Sequence, residues 1–111
     1  MIKIILFCIA IFLSTSCCFA LSDAEYKAMM QSSPEYRQAE AQLAQAWKRA
    51  CASVKGKGGM GWRELRDNQR DWLARLRDAE AKICIDSGMS RTEAYIAVTR
   101  DRIVYLESFA D

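Results

Sequence analysis

Apolar residues, with one glutamine among them, recur in alternating steps of three and four along residues 62–85. The stripe consists of Trp62, Leu65, Gln69, Trp72, Leu76, Ala79 and Ile83. Such steps put side chains on one face of an α-helix, whereas a strand needs alternation by two. A face of this kind packs against a second helix. We therefore expect a helix over about residues 62–85 with the stripe buried.

A second helix is predicted over about residues 34–54. Ser33 is suited to cap its N-terminus, and Pro34 loses no hydrogen bond at the first helical position. Its inward face is expected to hold Tyr36, Ala39, Leu43, Ala46, Trp47, Ala50 and Val54. The connection to the next helix is short, so the two helices should be antiparallel.

Capping boxes predict two further helices. Ser90 and Glu93 begin one that runs to about Phe109, and Gly88 ends the helix before it. Its expected inward residues are Ile96, Thr99, Ile103, Leu106 and Ala110. A box at Ser22-Asp23-Ala24-Glu25 begins a short helix. The predicted fold is all-α: a small antiparallel three-helix bundle with a short N-terminal helical extension.

The core of this bundle is expected to centre on two tryptophans, Trp47 and Trp72. Antiparallel alignment of their helices puts Trp47 level with about Arg70, and Leu43 level with about Ala74. Aromatic pairs of this kind add about 0.5–1.5 kcal/mol beyond the area that they bury.

Residues 1–20 have the three-part pattern of a secretory signal peptide. Lys3 precedes an apolar run over residues 4–13, which is too short to span a membrane. Small residues at Cys18 and Ala20 favour cleavage after Ala20. The same pattern leaves open a lipoprotein, with Cys17 or Cys18 acylated.

Cleavage would leave an N-terminal helical extension over residues 21–33 and a helical domain over residues 34–111. The product is expected to be periplasmic or secreted, with no stable membrane span. Of the five cysteines, Cys51 and Cys84 would remain. Straight antiparallel helices separate them by about 27 Å at 1.5 Å per residue, too far for a disulfide. We expect a monomer or a disulfide-linked dimer.

The composition excludes several functional classes. Sixteen basic and fourteen acidic residues balance to +2, which disfavours a nucleic-acid partner. The chain has no histidine, so schemes that need imidazole as a base or metal ligand cannot form. We expect no enzymatic activity, no catalytic residue, no cofactor and no metal site.

Carboxylates on the helix over residues 62–85 have basic neighbours at helical spacing. The expected pairs are Arg63 with Asp67, Asp71 with Arg75 and Asp78 with Lys82. Such pairs keep an acid ionised and contribute about 0.2–0.5 kcal/mol each. These residues and Glu80 are therefore interpreted as a solvated face.

The connection between the first two long helices is rich in glycine and basic. Four of the six residues 56–61 are glycine, so we expect a flexible hairpin. Lys55, Lys57, Gly58 and Gly59 form a candidate partner-binding loop; a simple linker is the alternative.

Two polar residues lie on predicted buried faces. Gln69 needs a hydrogen-bond partner there, because an unpaired buried amide is costly. Arg102 is expected within reach of Asp71 or Asp78. We interpret these residues as a polar lock between helices; ligand binding is the alternative.

Short patterns in all three long helices resemble the family of small secreted proteins related to the lysozyme inhibitor LprI. The residues that carry the resemblance, which we interpret as structural, are Leu43, Trp47, Gln69, Trp72, Arg77, Asp78, Thr99, Arg102 and Leu106. It covers about residues 37–107 and implies an LprI-like helical domain of the cell envelope or outside it. Lysozyme inhibition is attributed to at least one relative.

The chain departs from the family pattern in two places. Arg77 follows Trp72 by five residues, where relatives usually have four. Two positions that often hold cysteine in relatives are here Ala81 and, approximately, Ala94. Neither cysteine of that family disulfide is then present in this chain.

These observations favour a non-enzymatic periplasmic or secreted binding protein with a protein partner. The resemblance implies a lysozyme-type muramidase as that partner. The alternative is a structural or stress-related cell-envelope protein with an unknown protein partner. A small-ligand carrier is disfavoured, because Trp47 and Trp72 should fill the interior.

Overall fold

The computed structural model describes residues 21–57 and 61–109. Its elements are α1 (Asp23–Ser32), α2 (Pro34–Lys57), α3 (Trp62–Asp71), a π-helical turn (Trp72–Leu76), α4 (Arg77–Asp86) and α5 (Arg91–Glu107). No strand occurs within these two ranges, so the all-α prediction is confirmed. The predicted signal peptide, its cleavage site and Ala110 lie outside the described residues.

The helices begin at the predicted capping residues. The Ser22 hydroxyl accepts from the Glu25 N–H at 3.2 Å, and the Glu25 carboxylate accepts from the Ser22 N–H at 3.0 Å. Ser90 and Glu93 form the same reciprocal pair at 3.2 and 3.1 Å. The Ser33 hydroxyl caps α2 by accepting from a backbone N–H at 3.1 Å. Each box satisfies two donors that the first helical turn would otherwise leave unpaired.

Gly88 ends α4 because its backbone has a φ of 113°. A positive φ is unfavourable for residues with a Cβ atom. It lets the Met89 N–H donate to the Cys84 carbonyl at 3.1 Å, closing the helix end. The chain then reverses into α5.

Helix α5 is the central element of the fold. It packs along both α2 and α4, while α2 and α3 have a narrower contact. Its buried residues are Ala94, Tyr95, Ile96, Val98, Thr99, Arg102, Ile103 and Leu106. Four of the five inward positions predicted for this helix are therefore confirmed, and the fifth lies outside the described residues.

The core consists of two clusters rather than one centred on a tryptophan pair. One contains Leu43, Ala46, Ala50, Val54, Leu65, Trp72, Ile103 and Leu106. The other contains Met29, Tyr36, Ala81, Ala94, Tyr95, Ile96 and Val98. Trp72 is buried, but Trp47 is only partly buried and packs instead on Trp62, with ring centres 5.9 Å apart. The prediction that Trp47 shares the core centre was wrong.

The π-helical turn changes which residues of α4 face the core. The stripe is buried at Leu65, Gln69 and Trp72, as predicted. Beyond the turn Ile83 is 68% exposed, whereas Ala81 is fully buried. A π-turn contains one residue more than an α-turn and so rotates everything after it. The predicted burial of Ala79 and Ile83 was wrong for this reason.

Helix α1 packs on the rest of the protein. Met29 is buried, and the Tyr26 ring meets the Tyr36 ring edge-on at 6.1 Å. The Arg91 guanidinium forms an ion pair with Glu25, joining α1 to the start of α5. None of the helices over the described residues is long and apolar enough to cross a membrane.

Candidate functional site

Arg102 forms the polar lock between the helices, but with different partners from those expected. Its Nε donates to Gln69 Oε1 at 2.7 Å, and its Nη2 donates to Asn68 Oδ1 at 2.5 Å. Asp71 and Asp78 do not contact it; they bind Arg75 and Tyr95. The lock joins α3 to α5 as predicted, and the expected carboxylate partners were wrong.

Aromatic rings enclose the Arg102 guanidinium. Its central carbon lies 5.3 Å from the centre of the Trp72 ring and 4.4 Å from that of Tyr105. Burial lowers the pKa of Arg102, because desolvation disfavours the charged form. Two amide oxygens and two ring faces compensate for that desolvation. The arrangement holds α3 against α5 and leaves little of the Arg102 guanidinium accessible to a ligand.

A second polar contact joins α4 to α2. Arg77 Nη1 donates to Glu40 Oε1 at 2.7 Å, with both side chains less than one-fifth exposed. The Tyr26 hydroxyl donates to the other Glu40 oxygen at 3.2 Å. Glu40 therefore holds α1, α2 and α4 together.

Asp78 makes a third contact between helices, which is partly buried, since it accepts from the Tyr95 hydroxyl at 2.5 Å. Burial is the main cause that raises the pKa of Tyr95, and the hydrogen bond to Asp78 adds to it. Burial also raises the pKa of Tyr36, followed by the charge of Glu40. The hydroxyls of Tyr36 and Thr99 are buried and find no hydrogen-bond partner in the described part of the chain.

The carboxylates that were predicted to form a solvated face make the expected ion pairs only in part, and the prediction was wrong for Asp78, which is half-buried and binds Tyr95. Asp71 binds Arg75 at 2.8 Å, as expected. The pairs Arg63–Asp67 and Asp78–Lys82 were wrong predictions: Asp67 binds Arg66, and Lys82 binds Asp86. Within residues 21–57 and 61–109, no group of three or more potential metal ligands comes together.

The candidate loop is shorter than expected, because α2 continues to Lys57 rather than ending near Val54. The backbones of Lys55 and Lys57 are therefore helical. Gly58 and Gly59 lie outside the described residues. The binding role of the four residues stays a prediction.

A groove that the sequence did not predict lies between α2 and α3 and along the π-turn. It is open to solvent and has a volume of about 590 Å³. We call it the α2–α3 groove; its lining residues are Glu40, Leu43, Ala44, Trp47, Arg66, Gln69, Arg70, Leu73 and Ala74. The predicted alignment of Trp47 with Arg70 and of Leu43 with Ala74 agrees with this lining. The sequence signal was the basic edge of α3, formed by Arg66 and Arg70.

No disulfide joins Cys51 to Cys84, and both side chains are partly buried. The disulfide-linked dimer stays a prediction. Ala81 and Ala94, the positions at which the resemblance leads us to expect cysteine in relatives, are fully buried in the same core cluster. Small side chains fill the core at these positions.

Comparison with known proteins identifies a family. No curated protein and no solved structure matches the chain. Residues 18–106 match the family described as lysozyme inhibitor LprI, and this match covers most of the chain. It includes α1, α2, α3, α4 and all but the last residue of α5. The chain belongs to the LprI family.

Proposed function

We propose that this chain, after removal of its signal peptide, is a non-enzymatic periplasmic or secreted protein that binds and inhibits a lysozyme-type muramidase. The observation that carries the proposal is the family match over residues 18–106. A family described by inhibition favours binding over catalysis.

The contacts of the polar side chains support a binding role. Glu40 and Asp78, two partly buried carboxylates, bind Arg77 and Tyr95. Arg102 is held by two side-chain amides. These groups hold helices together, so any recognition must use the surface and the connections between helices.

The candidate partner-binding loop is the contact that we propose for this inhibition. Lysozyme-type enzymes use two carboxylates in a cleft. A lysine carried at the end of a helix into a glycine-rich connection can approach such a cleft, and Lys57 has this position at the end of α2. The alternative remains a connection with no binding role.

Titration of the purified protein into a cell-wall lysis assay tests both statements. We expect lysis to slow as the protein is added, and Lys57→Ala to weaken the effect. Lys27→Ala is the matched control, because it removes one exposed positive charge from α1, at the other end of α2. No inhibition at micromolar excess would contradict the inhibitor function and favour a structural or stress-related envelope role. Equal inhibition by the Lys57→Ala variant and the parent would show that the loop does not make the proposed contact.

A further inference from the structure

The α2–α3 groove has an apolar floor that the described residues leave open to solvent. Trp47 is only partly buried there, and Leu73 is 47% exposed. Its open shape suits a segment of another chain better than an enclosed small molecule. Leu73 and Ala74 belong to the π-helical turn, an element often found at functional sites.

The rim of the groove carries two arginines, Arg66 and Arg70, and only Arg66 has an ion-pair partner in the described part of the chain. Four of the arginines on the other surfaces pair with a carboxylate of another helix or of the preceding turn; these pairs are Arg49–Glu107, Arg75–Asp71, Arg91–Glu25 and Arg100–Glu35. In the described part of the chain, Arg70 makes no ion pair. Arg66 contacts only its sequence neighbour Asp67, at 3.3 Å. Because the overall charge is nearly balanced, this rim is a local feature rather than part of a generally basic surface.

We propose that the α2–α3 groove binds an acidic, amphipathic segment of a partner protein. Apolar side chains of that segment pack on Trp47 and Leu73, and its carboxylates bind Arg66 and Arg70. Guanidinium groups suit this role, because they form paired hydrogen bonds with carboxylates. An amphipathic helix lying between two helices would present its anchors at spacings of three and four residues. This proposal does not require the partner to be a muramidase.

Selection of random displayed dodecapeptides on the purified chain tests the chemistry of the ligand. We expect enriched peptides to combine leucine, isoleucine or phenylalanine with flanking aspartate or glutamate. Their binding should weaken as salt is raised, because the rim contacts are exposed ion pairs. Failure to enrich any peptide, or enrichment of basic or uncharged peptides, would overturn the proposal.

Variants test whether such peptides occupy the groove. Leu73→Glu and the double change Arg66→Gln/Arg70→Gln should each weaken binding about tenfold or more, because they add repulsion or remove attraction at the contact. Ile83→Glu is the control for the first, since Ile83 is exposed on α4 and does not line the groove. Arg75→Gln/Arg100→Gln is the control for the charge change.

Both control proteins should bind like the parent. Equal binding by groove variants and parent, or equal loss in the controls, would contradict the proposal. Sedimentation of the same proteins tests whether a second copy of this chain occupies the groove instead. A dimer that Leu73→Glu converts to a monomer would show that a second copy fills the groove, and the proposal would be wrong.

Discussion

The guanidinium of Arg77 lies 5.2 Å from the centre of the Trp72 ring, although the two residues are five positions apart in the chain. In an α-helix a residue five positions along faces about 140° away. Here the Arg77 N–H donates to the Trp72 carbonyl, which is the hydrogen bond of a π-turn. The π-turn accommodates the residue by which the spacing from Trp72 to Arg77 exceeds one α-helical turn, and Arg77 reaches Glu40.

Deletion of Ala74 should therefore be tolerated. It removes one residue from the π-turn, so the segment can become a regular α-helix while Arg77 remains over Trp72. We expect cooperative thermal unfolding and a loss of no more than about 2 kcal/mol, within the usual range for single changes. Circular dichroism during heating measures this.

Deletion of Ala79 is the matched control for that experiment. Ala79 is also an exposed alanine, but it lies in the regular helix α4. Its loss rotates the following residues by about 100°, which takes Ala81 and Cys84 away from α5. We expect this protein to be much less stable than the Ala74 deletion. Equal stability of the two would show that the π-turn does not absorb the extra residue.

Arg102 and Gln69 should be strongly coupled in a double-mutant cycle. Gln69→Leu leaves a buried guanidinium short of a partner, and Arg102→Met leaves a buried amide unpaired, each at about 1–3 kcal/mol. The double variant removes both polar groups and should recover about 1 kcal/mol or more of the summed loss. Chemical denaturation of the four proteins measures the coupling. Strict additivity would mean that the observed bond contributes nothing.

Two buried tyrosines should respond in opposite ways to loss of the hydroxyl. Tyr36→Phe removes a hydroxyl that has no partner in the described part of the chain, so stability should be unchanged or rise by about 1 kcal/mol. Tyr95→Phe deprives Asp78 of its donor and should cost about 1–3 kcal/mol. Because the substitutions are identical, each is the control for the other. The prediction fails if Tyr36→Phe is the more damaging change.

The same tyrosines predict a loss of stability in alkali. Burial raises the pKa of Tyr36 and of Tyr95, so the folded protein holds both phenolic protons at a pH where the unfolded chain releases them. Stability is fully present below the unfolded pKa of about 10, and falls by about 1.4 kcal/mol per pH unit per tyrosine above it. Denaturation at increasing pH measures the slope. A Tyr36→Phe/Tyr95→Phe protein should have a flatter slope; an unchanged one would contradict the assignment.

Trp72→Ala should remove much of the stability of this small domain. The Trp72 side chain is 2% exposed, contacts Arg77 and Arg102, and donates to Glu80 at 3.1 Å. The cavity should cost about 3–5 kcal/mol, from a total of about 5–15 kcal/mol. Trp47→Ala, at a partly buried position, should cost clearly less. Comparable losses would show that both tryptophans lie in the core.

The sequence by itself determined where most helices begin and which class of fold they build. Ser22, Ser33 and Ser90 bind backbone groups only three residues away, so these signals need no tertiary contact. The apolar period of three and four likewise depends on helix geometry alone. For the same reason the buried faces of α2 and α5 were largely predicted.

Only the tertiary structure decided the features that depend on contacts between distant residues. The sequence does not show that the five residues Trp72–Leu76 form a π-turn, because that turn is held by packing of Arg77 against Glu40 and Trp72. Arg102 had several polar groups within reach, and the orientation of α5 against α3 selected Gln69 and Asn68. The α2–α3 groove could not be predicted from the sequence for a related reason. A groove is the space left between two helices, and the side chains of both helices set their separation.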